Sequence, residues 1–326
     1  PDSYYRAIIN WVKQRYDLDV TKEMINFVPG IVPGIGMAMN SFTRPGDKVM
    51  IQPPVYHPFA WVTTRNERTL VTNPLKWENG MYRMDLDAFR EQVKGCKLFI
   101  LCNPHNPGGV VWTEDELRTV AEICYEEKVL VFSDEIHADL TLPPYKHRPF
   151  ATISEKAKMN SVTFMSPSKA FNMPGLAASH AIIFNEDLRA RFRKFMDAGE
   201  LDMGHVFAFL SVEAAYTHGT EWLDQCLAYI QGNIDYVDNF LKTHAPRIKA
   251  IRPQASYLVW LDCRELGLNQ EALNDFFADK AHLALNDGAM FGKEGTGYMR
   301  LNVASPRSVI EQAMKQLAEA YQAMSF

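Results

Sequence analysis

Ser166-Pro-Ser-Lys169-Ala-Phe171 follows directly on the apolar run Val162-Thr-Phe-Met165, and the fold is read outward from this junction. A short apolar run that breaks abruptly into small polar residues has the form of a buried strand emptying into a loop. The same form recurs at Lys48–Ile51, Thr69–Thr72, and residues 97–102, 129–132 and 181–184. Helical patterns separate several of these runs, after an amphipathic helix near residues 4–14. The clearest begins at Thr113, where Glu116 completes a capping box. Leu117, Val120, Ala121 and Cys124 then share one helical face. Short apolar strands alternating with helices predict an α/β fold, its mostly parallel sheet covered by helices.

From about residue 220 the pattern changes. A long helix carries Trp222, Leu223, Cys226, Leu227, Ile230 and Ile234. A strand (257–261), a helix (270–280), a strand ending at residues 300–303 and a last helix (306–323) follow. Residues 1–219 are therefore expected to form a large domain, the one that bears the strand ends where a ligand would bind, and residues 220–326 a smaller α+β domain. A chain of 326 residues is long enough for both to bury a core. Its opening at Pro1, with no initiator methionine, reads as the start of a piece of something longer.

Composition narrows the class. The net charge of −5 gives no electrostatic reason to expect nucleic acid or an anionic membrane as partner. No stretch reaches the roughly 20 apolar residues of a membrane span, and no signal segment is seen. The five cysteines (96, 102, 124, 226, 263) are odd in number, with no CxxC pair. Reduced thiols in a cytoplasmic protein, with no metal site, are the expectation.

Ligands of parallel sheets bind at the carboxyl ends of the strands, and Asn103, Asp134 and Ser166 each stand just past one. A surface charge is the ordinary reading of a lysine. Lys169 instead lies between a buried strand and Ala-Phe-Asn-Met-Pro-Gly, and burial favours a neutral amine able to attack an aldehyde. Asp134, at the end of another buried run, is costly unless paired. A helix cap would explain it, but an ionised aspartate can also keep a pyridine nitrogen protonated. These two residues together point to pyridoxal 5'-phosphate.

Other residues fit around that pair. Asn106, held in the turn Asn103-Pro-His-Asn-Pro-Gly-Gly109, can donate to a phenolic oxygen, and Tyr56 can stack on a pyridine face. His137 reaches either the phenolic oxygen or the groups behind it. Ser166 and Ser168 offer hydroxyls to a phosphate, and Gly30-Ile31-Val32 opens a helix whose amides favour an anion. Met39 stands where a third glycine of GxGxxG belongs, which disfavours a dinucleotide site. Arg300 lies in an apolar strand, where a substrate carboxylate or a structural ion pair would satisfy it. Glu135 is expected to point away and pair structurally.

With these residues in view, the chain resembles the pyridoxal-phosphate enzymes of fold type I, the aspartate-aminotransferase fold. More narrowly it is similar to the MalY/PatB branch of cystathionine β-lyase-like carbon–sulfur lyases. Pro53-Pro-Val-Tyr-His-Pro-Phe59, Cys102-Asn-Pro-His-Asn-Pro-Gly108, Ser133-Asp-Glu-Ile-His137, Ser166-Pro-Ser-Lys-Ala-Phe-Asn172 and Leu285-Asn-Asp-Gly-Ala-Met-Phe291 carry the resemblance across almost the whole chain. It implies that Lys169 joins the cofactor as an imine, Asp134 holds the pyridine nitrogen, and Asn106 holds the phenolic oxygen. Tyr56 then covers the ring face, Ser166 binds phosphate and Arg300 binds the substrate carboxylate. It also implies a homodimer with shared active sites, and some tens of residues ahead of position 1 that include a tyrosine reaching the neighbouring subunit's phosphate. Many aminotransferases of this fold carry a phosphate-binding arginine where this chain has Ala177, and the lyase branch tends to lack it.

The expected reaction is α,β-elimination on L-cystathionine or another cysteine S-conjugate, giving thiol, pyruvate and ammonia. The nearest alternative is transamination by the same lysine. A further alternative keeps the cofactor in a chiefly regulatory protein. Ser166-x-x-Lys169 also matches a serine–lysine acyl-transfer motif, but the SDN and KTG elements it requires do not follow.

Overall fold

The computed structural model describes residues 1–324. Its strands are β1 (Ile25–Val28), β2 (Lys48–Ile51), β3 (Thr69–Thr72), β4 (Lys76–Glu78), β5 (Met81–Arg83), β6 (Cys96–Cys102), β7 (Leu130–Asp134), β8 (Ser161–Met165), β9 (Ser179–Ile182), β10 (Lys249–Ile251), β11 (Leu258–Asp262), β12 (Asn286–Asp287) and β13 (Tyr298–Asn302). The helices used below are α1 (Asp2–Tyr16), α2 (Ile31–Phe42), α3 (Pro58–Arg65), α4 (Leu86–Gln92), α5 (Glu114–Glu126), α6 (Glu155–Met159), α7 (Glu186–Ala198), α8 (Val206–His218) and α9 (Thr220–His244).

Seven strands form one sheet in the order β1-β9-β8-β7-β6-β2-β3. All neighbours from β8 to β3 are parallel, while β9 is antiparallel to both β8 and β1. Side chains alternate across it as strand geometry demands. On β6, Phe99 and Leu101 pack towards α4 and α5, whereas Leu98, Ile100 and Cys102 join the cluster under α2, α3 and α7. Burial on both faces explains why these strands read as continuous apolar runs.

The capping box at the head of α5 is present: the Thr113 hydroxyl accepts from the Glu116 N–H, and the Glu116 carboxylate accepts from the Thr113 N–H. Such a cap contributes about 1 kcal/mol. Two glycines set α2. Gly30, at φ 121°, turns the chain out of β1, a conformation that side chains rarely adopt. At Gly34 a Cβ would lie 2.9 Å from Val28 and 3.2 Å from Phe164, so its absence lets the helix sit directly on the sheet.

A second sheet, β10-β11-β13-β12, is antiparallel throughout. Helix α1 and helices α8 and α9 share one hydrophobic cluster with residues of this second sheet, among them Trp11, Val212, Leu223, Val259 and Leu301. No helix among the described residues is long and apolar enough to cross a membrane.

Candidate active site

The parallel register brings the loop-bearing ends of the strands together. Cys102 pairs with Asp134, and Asp134 with Phe164, so β6, β7 and β8 end side by side. Beyond them lies a cavity of about 360 Å³, lined by Ile31, Val32, Tyr56, Asn106, Asp134, His137, Ser168, Lys169 and Arg300, all singled out from the sequence.

Asp134 is buried and its carboxylate accepts one backbone N–H, from Ile136 at 3.1 Å. Burial pushes this carboxyl up to about 7; the Ile136 N–H and the Lys169 charge oppose the rise, and Glu135 adds to it. An acid so poised shares a proton readily with a basic nitrogen placed against it. The segment carrying it is clamped on both sides. Glu135 turns away from the cavity and accepts from Ser133 Oγ (2.8 Å), His147 Nε2 (2.8 Å) and the Phe150 N–H (2.8 Å). Asp139 accepts from Trp11 Nε1 at 3.0 Å and from the Tyr16 hydroxyl, fixing the loop to α1.

Asn106 and Arg300 are joined. Arg300 Nη1 donates to Asn106 Oδ1 at 2.9 Å, which orients the amide and leaves its Nδ2 hydrogens for the cavity. Arg300 Nη2 donates to Asn286 Oδ1 at 2.7 Å, and the guanidinium lies 4.7 Å from the Phe291 ring centroid. The Nε is buried without a partner. No carboxylate pairs with Arg300 among the described residues, so the structural ion pair weighed above is not what holds it. Burial lowers its affinity for the proton, opposed by the hydroxyls of Tyr56 and Tyr257.

The opposite end of the cavity suits an anion. Ile31 and Val32 occupy the first turn of α2, whose cap Gly30 has no side chain, and Pro33 has no N–H to offer. The amides of Ile31 and Val32 are thus first-turn donors with no intrahelical acceptor. Ser168 lines the cavity beside them. Ser166 does not: it is buried behind the wall. Its hydroxyl donates to the Ala178 carbonyl at 2.7 Å, and its oxygen lies 2.8 Å from Ser168 Oγ and accepts the Ser168 N–H at 3.1 Å. Of the two serines expected at a phosphate, only Ser168 lines the cavity, and Ser166 is hydrogen-bonded to it from behind. Ala177, at φ 47°, lines this end without a cation of its own.

Tyr56 packs edge-on against Phe59, with centroids 5.7 Å apart. Burial raises the pKa of its hydroxyl, the Asp134 charge adds to the rise and the Arg300 charge opposes it. His137 is buried, its Nδ1 has no partner, and burial pushes it down to about 3, so the imidazole is neutral. Several lining residues carry no site role in the sequence reading, Tyr257, Ile136 and Asn302 among them. Tyr257 stands edge-on to His137, Ile136 follows Asp134, and Asn302 lies two residues beyond Arg300. The signal available for Asn302 was strand alternation, which puts it on the face of Arg300. Among the described residues no cluster of His, Cys, Asp or Glu could hold a metal ion.

The family described as Aminotransferase class I and II matches residues 2–317. The chain is 39% identical over 316 residues to cystathionine beta-lyase PatB of Bacillus subtilis (strain 168), covering 96% of this chain and 82% of that protein. It is 29% identical to Protein MalY of Escherichia coli (strain K12), covering 99% and 83%. The structure of cystalysin from Treponema denticola, which contains a pyridoxal 5'-phosphate cofactor, is similar with a TM-score of 0.97 and 34% identity, covering 100% of this chain and 83% of that one. A match over nearly the whole chain, and a cavity at the strand ends with a lysine, an aspartate and an arginine that has no carboxylate partner, lead to one conclusion: this chain belongs to the aminotransferase class I and II family, in its MalY/PatB branch.

Proposed function

We propose that the chain is a pyridoxal 5'-phosphate-dependent carbon–sulfur β-lyase acting on L-cystathionine or other cysteine S-conjugates. One observation carries the reading: Lys169, Asp134 and Arg300 line a single cavity in which the guanidinium has amide partners and no carboxylate. The residues fit the cofactor. The free amides of Ile31 and Val32 with Ser168 suit its phosphate, Asp134 its ring nitrogen, the Asn106 amide its phenolic oxygen and Tyr56 its ring face. The orphaned Nδ1 of His137 and Nε of Arg300 are polar groups that a filled site would serve.

When bound, the cofactor supplies an aldehyde that condenses with amines and a ring that accepts the electron pair left at Cα. The protein's residues do the rest. Arg300 binds the substrate carboxylate and fixes which Cα bond faces Lys169. The Lys169 amine takes the Cα proton. Asp134 keeps the proton on the ring nitrogen. The Cβ–S bond breaks with both electrons leaving on sulfur, and water completes the balance to thiol, pyruvate and ammonia. Ala177, in place of a phosphate-binding arginine, and the relatives named cystathionine beta-lyase and MalY favour elimination over transamination.

The cofactor-loaded protein should release thiol and pyruvate in equal amounts from S-substituted L-cysteines. A keto acid that keeps its sulfur would replace elimination with transamination, and no product at all would overturn the reading. The same proposal includes a homodimer whose subunits complete each other's sites, a domain break at residue 219/220, and a cytoplasmic location, which five unpaired cysteines suit.

A further inference from the structure

Arg300 is half-buried, and every partner it has among the described residues is neutral. Two of its five N–H donors go to the amide oxygens of Asn106 and Asn286, and three remain. Its other contact is the ring of Phe291, whose centroid lies 4.7 Å from the guanidinium carbon. An aromatic face attracts a cation without taking up a hydrogen-bond donor. A carboxylate in that place would offset the burial of the charge more strongly, but it would occupy the fork. The ring therefore stabilises the cation and leaves its charge and its donors open to an incoming carboxylate.

The ring is itself fixed. Phe291 is buried, and Trp260 stands nearly perpendicular to it with centroids 5.4 Å apart. Trp260 is also the register partner of Arg300 across β11 and β13, so cation and ring share one support. His57 closes another side, nearly perpendicular at 5.6 Å. The Phe291 carbonyl accepts the Val55 N–H at 2.9 Å, one residue before Tyr56. Gly292 follows at φ 124°, where a Cβ would lie 2.8 Å from Pro53. The same residue thus holds the guanidinium by its ring and the Tyr56 segment by its carbonyl.

Resting on the role given to Arg300 above, we propose that Phe291 is a positioning residue for substrate binding. Its ring face holds the Arg300 guanidinium by cation–π attraction in the orientation that receives a carboxylate, and so sets the affinity for amino acids. Phe291 does not line the cavity, so it acts through Arg300 rather than by touching substrate. A ring that only filled the core would matter through its volume. A ring that holds a cation matters through the negative potential of its face as well.

Fluorination separates the two, because each added fluorine weakens that potential with little change of shape. Phe291 is replaced with mono-, di- and trifluorophenylalanine, and Kd for L-alanine is read from the absorbance of the holoenzyme. L-Alanine has a carboxylate but no sulfur to expel. Its Kd should rise stepwise with fluorine, by about fivefold or more in the trifluoro protein. Phe291→Leu, apolar but without a ring, should lose at least as much. Ethylamine, which has no carboxylate, should bind all the proteins equally. A Kd that ignores fluorination, a loss shared by ethylamine, or no response to L-alanine at all would overturn the proposal. Thiol release from S-substituted cysteines reads the lyase chemistry separately. A graded Kd without thiol release supports Phe291 and counts against the lyase reading alone, and thiol release with a flat Kd does the reverse.

Discussion

Arg300 and Asn106 meet across 194 residues of chain, the guanidinium donating to the amide oxygen at 2.9 Å. The contact ties β13 of the second sheet to the turn after β6 of the first. It couples the group expected to hold the substrate carboxylate to the group expected to hold the cofactor's phenolic oxygen. On the proposed roles, substrate binding at one should be felt at the other.

Replacement of Arg300 tests that coupling. Arg300→Lys keeps the charge but loses the planar fork and cannot hold Asn106, Asn286 and a carboxylate together. Two charge-assisted hydrogen bonds at about 1.5–3 kcal/mol each set the scale, and kcat/KM should fall by about 100-fold or more. The rise in KM should exceed the fall in kcat. Steady-state kinetics on one S-substituted cysteine check this, and an unchanged KM would count against the assigned role.

Asp134 gives the cofactor-free protein a pH signature. Its carboxyl stands at about 7 in the fold against 3.8 ordinarily. Between those values the folded state binds more protons than the unfolded one, so this group's contribution to stability falls as pH rises through the window. Cofactor-free Asp134→Asn should therefore be more stable than cofactor-free wild type at pH 8, by about 2–4 kcal/mol, with the gap closing near pH 4. His105, His137 and His180, each lowered to about 3 by burial, act in the opposite sense. Their contribution is lost as pH falls below 6.5 in wild type and variant alike, so the difference isolates Asp134. Urea unfolding at the two pH values measures it.

Glu135 should matter for stability rather than chemistry. Its carboxylate holds three partners in a buried setting, and Glu135→Ala strands His147 and the Phe150 amide. A loss of about 3–5 kcal/mol is expected by urea unfolding, with Glu135→Gln losing less. Weaker cofactor affinity should accompany the loss, because Asp134 is the preceding residue.

Gly288 packs against the start of β13, the strand that carries Arg300. A Cβ there would lie 2.2 Å from the Gly295 carbonyl oxygen and 2.3 Å from that of Tyr298. Both are backbone atoms, and Tyr298 opens β13. Gly288→Ala should cost about 3 kcal/mol or more in unfolding experiments, since neither side can yield as a side chain would.

Much of this arrangement was legible in the sequence because buried parallel strands leave a strong trace. Lys48–Ile51 and Thr69–Thr72 form as read, and the runs at 97–102, 129–132 and 162–165 differ from β6, β7 and β8 by one or two residues at an end. The run at 181–184 instead forms β9 at Ser179–Ile182, since Ser179 and His180 are buried against β1 and β8 despite their polarity. Strand direction left no trace, so the antiparallel placement of β9 emerges only from the fold. The α2 amides were visible through Gly30 and Pro33. Ser166 and Ser168 look alike in sequence, and only the Ala178 carbonyl, brought up by β9, decides which hydroxyl faces the cavity. Tyr257 and Asn286 stayed hidden because their roles come from partners at His137 and Arg300, far along the chain.

The central claim is that Lys169 is the attachment point of the cofactor. Adding pyridoxal 5'-phosphate, reducing with borohydride and mapping peptides by mass spectrometry tests it directly. One pyridoxyl group per chain on Lys169, lost in Lys169→Ala, is the predicted result. A modification spread over surface lysines, with Lys169 unmodified, would contradict it.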